Sequence, residues 1–135
     1  MAEQQITSES RELLGKLRDL MLEQHTLLLD RERAVYEKAN GPIEGPGPFL
    51  ALVLGDPQFA WLRQISTLVV EIDEALSRRS KAGQLEASAL EGQVRELMKP
   101  REAGTDFQMR YYAAVQESPD VVILQCRMED LLRSN

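Results

Sequence analysis

The chain has 135 residues, and we expect one domain over residues 1–135 because this length can bury a core without disulfides or a structural metal. Hydrophobic residues make up 43% and charged residues 28%, a composition that is typical of a globular protein and too apolar for intrinsic disorder. The net charge of −6 argues against binding to nucleic acid or to an anionic membrane, because both kinds of binding depend on Lys and Arg.

Cysteine use and hydropathy indicate the compartment. Cys126 is the only cysteine and cannot form an intramolecular disulfide, and the N-terminus has no basic and apolar signal peptide. The longest uninterrupted apolar run, residues 49–54, has six residues, whereas a membrane-spanning helix needs roughly 18 to 20. The sequence therefore predicts a cytoplasmic protein with no membrane contact.

A long amphipathic helix, helix A, is predicted over residues 8–39. Thr7 or Ser8 can cap its N-terminus, residues 1–7 are expected to fray, and the Asn-Gly-Pro sequence at residues 40–42 ends the helix. Its apolar side chains recur with a period of 3.6 residues, at Leu13, Leu14, Leu17, Leu20, Met21, Leu27, Leu28, Val35 and Ala39.

A Gly- and Pro-rich connector and a short apolar run follow helix A. Residues 40–48 cannot form a regular helix or a central strand, so the sequence predicts a semi-rigid spacer. Residues 49–54 (Phe-Leu-Ala-Leu-Val-Leu) fit either a buried strand or about two turns of buried helix. Helix is favoured, because Pro48 suits the first helical position and no second strand is available for pairing.

The most apolar helix, helix B, is predicted from residue 57 to residue 76. Asp56 can accept hydrogen bonds from the first free amides, and Pro57 fits the first helical position. Because this helix carries the only tryptophan and a dense apolar stripe, we expect the other helices to pack around it. The stripe comprises Leu62, Ile65, Val69, Ile72 and Leu76, widened by Trp61 and Leu68.

Three further helices complete the predicted fold. Helix C covers residues 87–98 and must end before Pro100. A capping box at Thr105–Gln108 starts helix D, and Ser118-Pro119 starts helix E, which carries Cys126 near its apolar side. We therefore predict an all-α fold, an up-and-down bundle of four main helices with one or two short helices.

Three stretches in the middle of the chain resemble a family of small all-helical bacterial proteins of unknown function. They are Leu-Asp-Arg-Glu-Arg-x-x-Tyr-Glu at residues 29–37, Asp-Pro-x-Phe-Ala-Trp-Leu-Arg at residues 56–63, and Glu-Ile-Asp-Glu at residues 71–74. The resemblance covers residues 13–76. It implies an origin in the bacterial cytoplasm and assigns no functional residue.

The sequence contains no pattern that would bind a metal or a cofactor. His25 is the only histidine, whereas zinc and di-iron sites on helices use several His and Glu ligands. The acidic residues at helical spacing are expected to form a solvated face. A Ser-His or Cys-His pair would have to form without a nucleophile-elbow motif, which disfavours a hydrolase. We therefore predict no metal, no cofactor and no catalytic residue.

Arg31 is the one strong charge that the helical period places inside the apolar face of helix A, whereas Glu32 is predicted to point directly away. A buried guanidinium needs a carboxylate on a facing helix, and Asp73 of helix B is the expected partner. The alternative is a pocket for an anionic ligand among helices A, B and D. Its candidate ligand-binding residues are Gln24, His25, Arg31, Asp73 and Tyr111.

Two functions from different classes fit these features. The leading hypothesis is a non-enzymatic interaction or structural protein that forms a homodimer and can bind a protein partner. Helix A, about 48 Å long, exceeds the diameter of roughly 37 Å expected for a compact chain of this size. Its overhanging end would expose apolar side chains unless a second chain covers them. The alternative is a small-molecule-binding or enzymatic bundle that uses the pocket around Arg31.

Overall fold

The computed structural model describes residues 4–133. They form six α-helices and one 3-10 helix, and within this range the only β-type pairing is a bridge between Gln5 and Gly83. The prediction of an all-α fold is confirmed. The helices are α1 (Ser8–Asn40), α2 (Pro46–Gly55), the 3-10 helix (Pro57–Leu62), α3 (Arg63–Leu76), α4 (Gln84–Leu97), α5 (Asp106–Glu117) and α6 (Pro119–Arg133).

The core is built around α1. The Thr7 hydroxyl caps it by accepting a hydrogen bond from the Ser10 amide at 3.1 Å, and it ends before Gly41, whose φ of 86° is a conformation that glycine adopts readily. Its 33 residues extend about 50 Å. It packs against α3, α4, α6 and the 3-10 helix. Residues 57–76, the predicted helix B, contact α1, α2, α4 and α5, so this segment shares the centre of the fold with α1 and the expectation that helix B is central is not contradicted.

Helix B is divided into two parts with different winding. The Asp56 carboxylate accepts a hydrogen bond from the Gln58 amide at 2.8 Å, as the predicted cap requires, but the next six residues form the 3-10 helix. A 3-10 helix places residues three apart on the same side, so Phe59 and Leu62 both enter the core, beside Trp61. The apolar stripe predicted for α3 is confirmed by the buried side chains Ile65, Leu68, Val69 and Ile72, with Leu76 partly buried.

The short apolar run forms a helix, as predicted, but this helix is not buried. α2 begins at Pro46, because prolines fit the first helical turn, where the amide has no partner. The connector is therefore residues 41–45 instead of the predicted 40–48. No side chain of α2 is buried. The expectation of burial is wrong because α2 packs on the 3-10 helix and the end of α1 with one side only.

Residues 4–7 are held against the start of α4. The Gln84 amide donates to the Gln4 carbonyl at 2.8 Å, and the Thr7 amide donates to Gln84 Oε1 at 2.8 Å. Ile6 is buried in the core. The expectation that residues 1–7 fray is therefore wrong for residues 4–7, and residues 1–3 lie outside the described range.

The predicted start signals of the last two helices are confirmed. The Gln108 amide donates to Thr105 Oγ1 at 3.1 Å and the Thr105 amide donates to Gln108 Oε1 at 3.1 Å, which completes the capping box of α5. Ser118 caps α6 through its hydroxyl. The predicted position of Cys126 is wrong, because it is exposed and the buried side of α6 passes through Gln125 instead.

Candidate functional site

One side of α2 presents apolar residues to solvent. Gly47, Leu50, Ala51 and Leu54 are spaced at i, i+3, i+4 and i+7, so they share one side of the helix. We call this side the α2 outer face. All four residues are exposed, and Leu50 and Leu54 are 56% and 62% exposed. The outer face contains no polar side chain.

The opposite side of α2 is anchored to α1 and the 3-10 helix. The Phe49 ring meets the Phe59 ring edge-on with centroids 6.0 Å apart, and the Arg33 guanidinium lies 4.7 Å from the centre of the Phe49 ring. Arg63 donates from Nη1 to the Leu54 carbonyl at 2.9 Å, which satisfies one of the free carbonyls at the C-terminus of α2. These contacts fix the orientation of the outer face.

The α2 segment is also the longest stretch of the chain without a charged residue. No ionisable side chain occurs from Gly45 to Gly55, although the chain has 16 basic and 22 acidic residues. Single exposed leucines are common on protein surfaces, but a contiguous apolar face is typical of a surface that another molecule covers. This combination marks the α2 outer face as the candidate site.

A cleft of about 630 Å³ lies beside the outer face, between the end of α1, the connector and α2. We call it the tip cleft. The connector is held by a hydrogen bond of 2.8 Å from the Ile43 amide to the Glu37 carboxylate. Glu44 and Asp56 give the tip cleft a negative charge. Its other walls are mainly apolar and include Tyr36, Pro42, Ile43, Pro48, Ala51 and Leu52.

A carboxylate is buried where the sequence predicted a side chain pointing away from the core. Glu32 is 8% exposed, and its carboxylate accepts hydrogen bonds from Gln58 Nε2 at 2.9 Å and Trp61 Nε1 at 3.3 Å. Glu32 therefore ties α1 to the 3-10 helix. The prediction for Glu32 is wrong because it follows the buried Leu14 by about five full helical turns and so points the same way.

Two of the five predicted site residues meet in the core. Gln24 Nε2 donates to the Tyr111 hydroxyl at 2.7 Å and to the Val121 carbonyl at 3.0 Å, and the Tyr111 hydroxyl donates to Gln125 Oε1. Gln24 and Tyr111 are fully buried, and burial raises the pKa of Tyr111 above its ordinary value. The pair joins α1, α5 and α6, and neither residue lines the tip cleft or any of three other clefts on residues 4–133.

His25 lies between α1 and α3, with its Nε2 atom 3.1 Å from the Ser66 hydroxyl. Among the hydrogen bonds of residues 4–133, none joins a carboxylate to the other ring nitrogen, which a catalytic histidine uses for orientation. Ser66 is the fourth residue of α3, which continues directly from the 3-10 helix, so the contact lies between two helices and not on a loop. The pair therefore supports packing of α1 against α3.

His25 makes the stability of the fold depend on pH. Burial lowers the pKa of His25 below its ordinary value of 6.5, so the unfolded chain binds the proton at a higher pH than the folded chain. Stability is therefore lost as the pH falls below about 6.5. We expect the free energy of unfolding to decrease between about pH 7.5 and pH 5.5, and to decrease less in His25→Gln. Urea titrations at both pH values measure this, and an equal decrease in the two proteins would contradict the assignment.

Arg31 and Asp73 do not pair with each other. Arg31 forms an ion pair with Glu117 of α5, and Asp73 forms one with Arg18 at 2.6 Å. The predicted pairing is wrong because α1 and α3 run antiparallel, so Asp73 lies beside the first half of α1 while Arg31 lies level with the 3-10 helix. The expectation that Arg31 meets a carboxylate on a neighbouring helix is confirmed.

The Arg31 ion pair is expected to contribute little to stability. The side chains of Arg31 and Glu117 are 25% and 64% exposed, so water screens their attraction. Arg31→Met keeps an apolar stem of similar length and should lower the free energy of unfolding by less than about 1 kcal/mol. Arg31→Ala also removes the stem, so its loss of stability should be at least as large as that of Arg31→Met. Chemical denaturation measures both variants. A loss above about 2 kcal/mol in Arg31→Met would show that the ion pair has been undervalued.

The five predicted site residues thus do not converge on one cavity. Gln24 and Tyr111 lie together in the core, whereas His25, Arg31 and Asp73 each contact a different partner. Sequence reasoning missed the burial of Glu32 and the exposure of α2. Only the exposure of α2 left a signal in the sequence, the uncharged run of residues 45–55 in an acidic chain.

Residues 4–133 contain no group of three or more His, Cys, Asp or Glu side chains that could hold a metal ion. No helix in the described part of the chain is long and apolar enough to cross a membrane. No protein-family model, curated protein or solved structure matches the chain. The family resemblance of residues 29–37 and 56–63 therefore stays a prediction, although the two stretches contact each other through Glu32 and Trp61.

Proposed function

We propose that this chain is a non-enzymatic helical interaction protein that associates with itself, and that the α2 outer face is its contact surface. The observation that carries the proposal is the exposure of Leu50 and Leu54 on an anchored helix without a charged residue. Removing apolar surface from water is favourable in proportion to its area. Because the orientation of this face is already fixed, binding does not have to overcome the conformational entropy of ordering it.

The partner we propose is a second copy of the chain. Each copy has a net charge of −6, so two copies repel each other. The repulsion is smallest where they approach through a surface without charged residues, such as the α2 outer face. Identical apolar faces are complementary to each other, and twofold dimers are the commonest oligomers. Val35, near the end of α1 that α2 packs against, is 52% exposed and adds one more apolar side chain to the exposed surface of this region.

The proposal includes a bacterial cytoplasmic location and an up-and-down arrangement of the four main helices. The location is supported by the acidic composition and the single cysteine. The arrangement is supported by the antiparallel contact of α1 with α3 and by the one-residue connection between α5 and α6.

A small-molecule-binding or enzymatic bundle has less support. Its pocket would need Arg31 and Asp73 to face one cavity. Instead, Arg31 forms an ion pair with Glu117 of α5. Asp73 forms an ion pair with Arg18, in the first half of α1. Native mass measurement of protein purified from its own host tests this alternative directly. A small molecule retained at one per chain would favour it over the interaction proposal.

Sedimentation equilibrium of the full chain tests the proposed contact surface. We expect the wild-type mass to rise above the 15.3 kDa of one chain as concentration increases, and Leu50→Glu and Leu54→Glu to remain monomeric. Leu85→Glu is the matched control, because Leu85 is 83% exposed on α4, far along the chain from α2, and the variant adds the same charge. A wild-type chain that stays at 15.3 kDa up to about 100 µM would overturn the proposal.

A further inference from the structure

We infer that a groove between α1 and α6 is a docking site for a short basic amphipathic helix of another protein. The groove consists of two clefts, of about 390 Å³ and 470 Å³, which follow each other along the same two helices. We call it the α1–α6 groove. It shares no residue with α2, so the inference goes beyond the proposed function and does not depend on it.

The two walls of the α1–α6 groove have the same spacing of residues. The α1 wall consists of Lys16, Asp19, Leu20, Glu23, Thr26 and Leu27, at i, i+3, i+4, i+7, i+10 and i+11. The α6 wall repeats this spacing from Asp120 to Leu131. Leu20 shares a cleft with Leu131, and Leu27 shares the other with Ile123, so the two helices run antiparallel along the groove.

This spacing predicts that the occupant is a helix. Side chains three and four residues apart on two neighbouring helices form the seam into which the side chains of a third helix pack. The bottom of the groove is apolar, because Leu20 and Leu27 are half-buried there and Leu124 is buried. Ile123 is 50% exposed at its edge. An amphipathic helix can therefore lay its apolar side into the groove and keep its polar side in water.

The length of the groove limits the size of the occupant. From residue 16 to residue 27 the α1 wall extends about 17 Å, which is the length of roughly three helical turns. A contact of this size belongs to the class of small, transient interfaces. We therefore expect a short segment of a partner instead of a whole domain, bound with a Kd of roughly tens of micromolar.

The charges at one end of the groove select a basic partner. Glu23 and Asp120 are exposed on opposite walls of one cleft, and no Lys, Arg or His side chain lines that cleft. Within residues 4–133, neither carboxylate forms an ion pair. Lys or Arg beside the apolar stripe of the occupant would meet both carboxylates. α2 of a second copy does not fit this requirement, because it has no basic residue.

Fluorescence anisotropy with a synthetic peptide tests the inference. The probe is a fluorescein-labelled peptide of about 14 residues, with leucines three and four positions apart, lysines beside them and alanines elsewhere. Ile123→Ser removes an exposed apolar contact and should weaken binding by the full chain at least about fivefold. Glu23→Gln removes one carboxylate and should weaken it about threefold. The matched controls Leu85→Ser on α4 and Glu74→Gln on α3 make the same changes outside the groove and should leave the Kd unchanged.

Weaker binding in Ile123→Ser and Glu23→Gln, with no change in the two controls, would support the inference. A Kd above about 1 mM for the wild-type chain, or equal binding by all four variants, would overturn it. Equal binding of a peptide that carries glutamates in place of the lysines would also overturn it.

Two further measurements distinguish the α1–α6 groove from the α2 outer face. Leu50→Glu should bind the peptide as tightly as the wild-type chain, and loss of binding in this variant would place the peptide on α2 and overturn the inference. In sedimentation, Ile123→Ser should associate with itself as the wild-type chain does. Self-association that is lost in Ile123→Ser would identify a second copy as the occupant of the groove and overturn the assignment of a basic partner.

Discussion

Replacing Tyr111 with alanine is expected to lower the free energy of unfolding by about 3 to 5 kcal/mol, the range typical of deleting a buried aromatic ring. The Tyr111 ring is fully buried, and its centroid lies 5.7 Å from that of Phe107. The hydroxyl links Gln24 of α1 to Gln125 of α6. The substitution therefore creates a cavity and also removes the hydroxyl that bridges Gln24 and Gln125.

Tyr111→Phe separates these two effects, because it keeps the ring and removes the hydroxyl. Gln24 retains its hydrogen bond to the Val121 carbonyl, but Gln125 Oε1 loses the Tyr111 donor. We expect a loss of about 1 to 3 kcal/mol, the cost of one buried polar group without its partner. Urea unfolding followed by circular dichroism measures both variants. Tyr112→Phe, on a half-buried side chain of the same helix, is the control and should change stability by less than about 0.5 kcal/mol. Wild-type stability in Tyr111→Phe would show that the hydrogen bonds do not stabilise the fold.

The ends of the helices could be predicted from the sequence because they depend on chemistry within a few residues. The hydroxyl of Thr7, the carboxylate of Asp56 and the hydroxyl of Thr105 each accept a hydrogen bond from an amide two or three positions later. A cap of this kind is complete without any distant residue. The sequence pattern alone therefore predicts it.

Burial and pairing depend on distant parts of the chain, and here the sequence was misleading. The helical period of α1 predicts an apolar face that includes Arg31, whereas the buried face follows Leu14, Met21 and Leu28, which also brings Glu32 inside. Charge and helix face favour Asp73 as the partner of Arg31, whereas the antiparallel register of α1 and α3 places Asp73 beside Arg18. Neither the register nor the centre of a broad face can be read from one helix alone.

The structure of the candidate site likewise depends on distant contacts that the sequence does not show. The sequence predicted no site in α2, although the uncharged run of residues 45–55 stands out in an acidic chain. The apolar composition also suggested burial, since sequence cannot show that α2 has a neighbour on one side only. The orientation of α2 depends on the 3-10 helix beneath it, and Glu32 holds that helix to α1 through Gln58 and Trp61.

Replacing Glu32 with alanine is therefore expected to lower the free energy of unfolding by about 1 to 3 kcal/mol, because it leaves the buried Trp61 indole without its acceptor. The half-buried Gln58 side chain loses the carboxylate but keeps its hydrogen bond to the Glu32 backbone carbonyl. Asp30→Ala is the control, since Asp30 is an exposed carboxylate on the same helix and should change stability by less than about 0.5 kcal/mol.

Trp61 is the only tryptophan, so its fluorescence reports on this contact, and we expect a red shift in Glu32→Ala under native conditions. In a double-mutant cycle, Glu32→Ala combined with Trp61→Phe should show a coupling of about 0.5 to 2 kcal/mol. Additive effects of the two substitutions would show that Glu32 stabilises the fold without the hydrogen bond to Trp61.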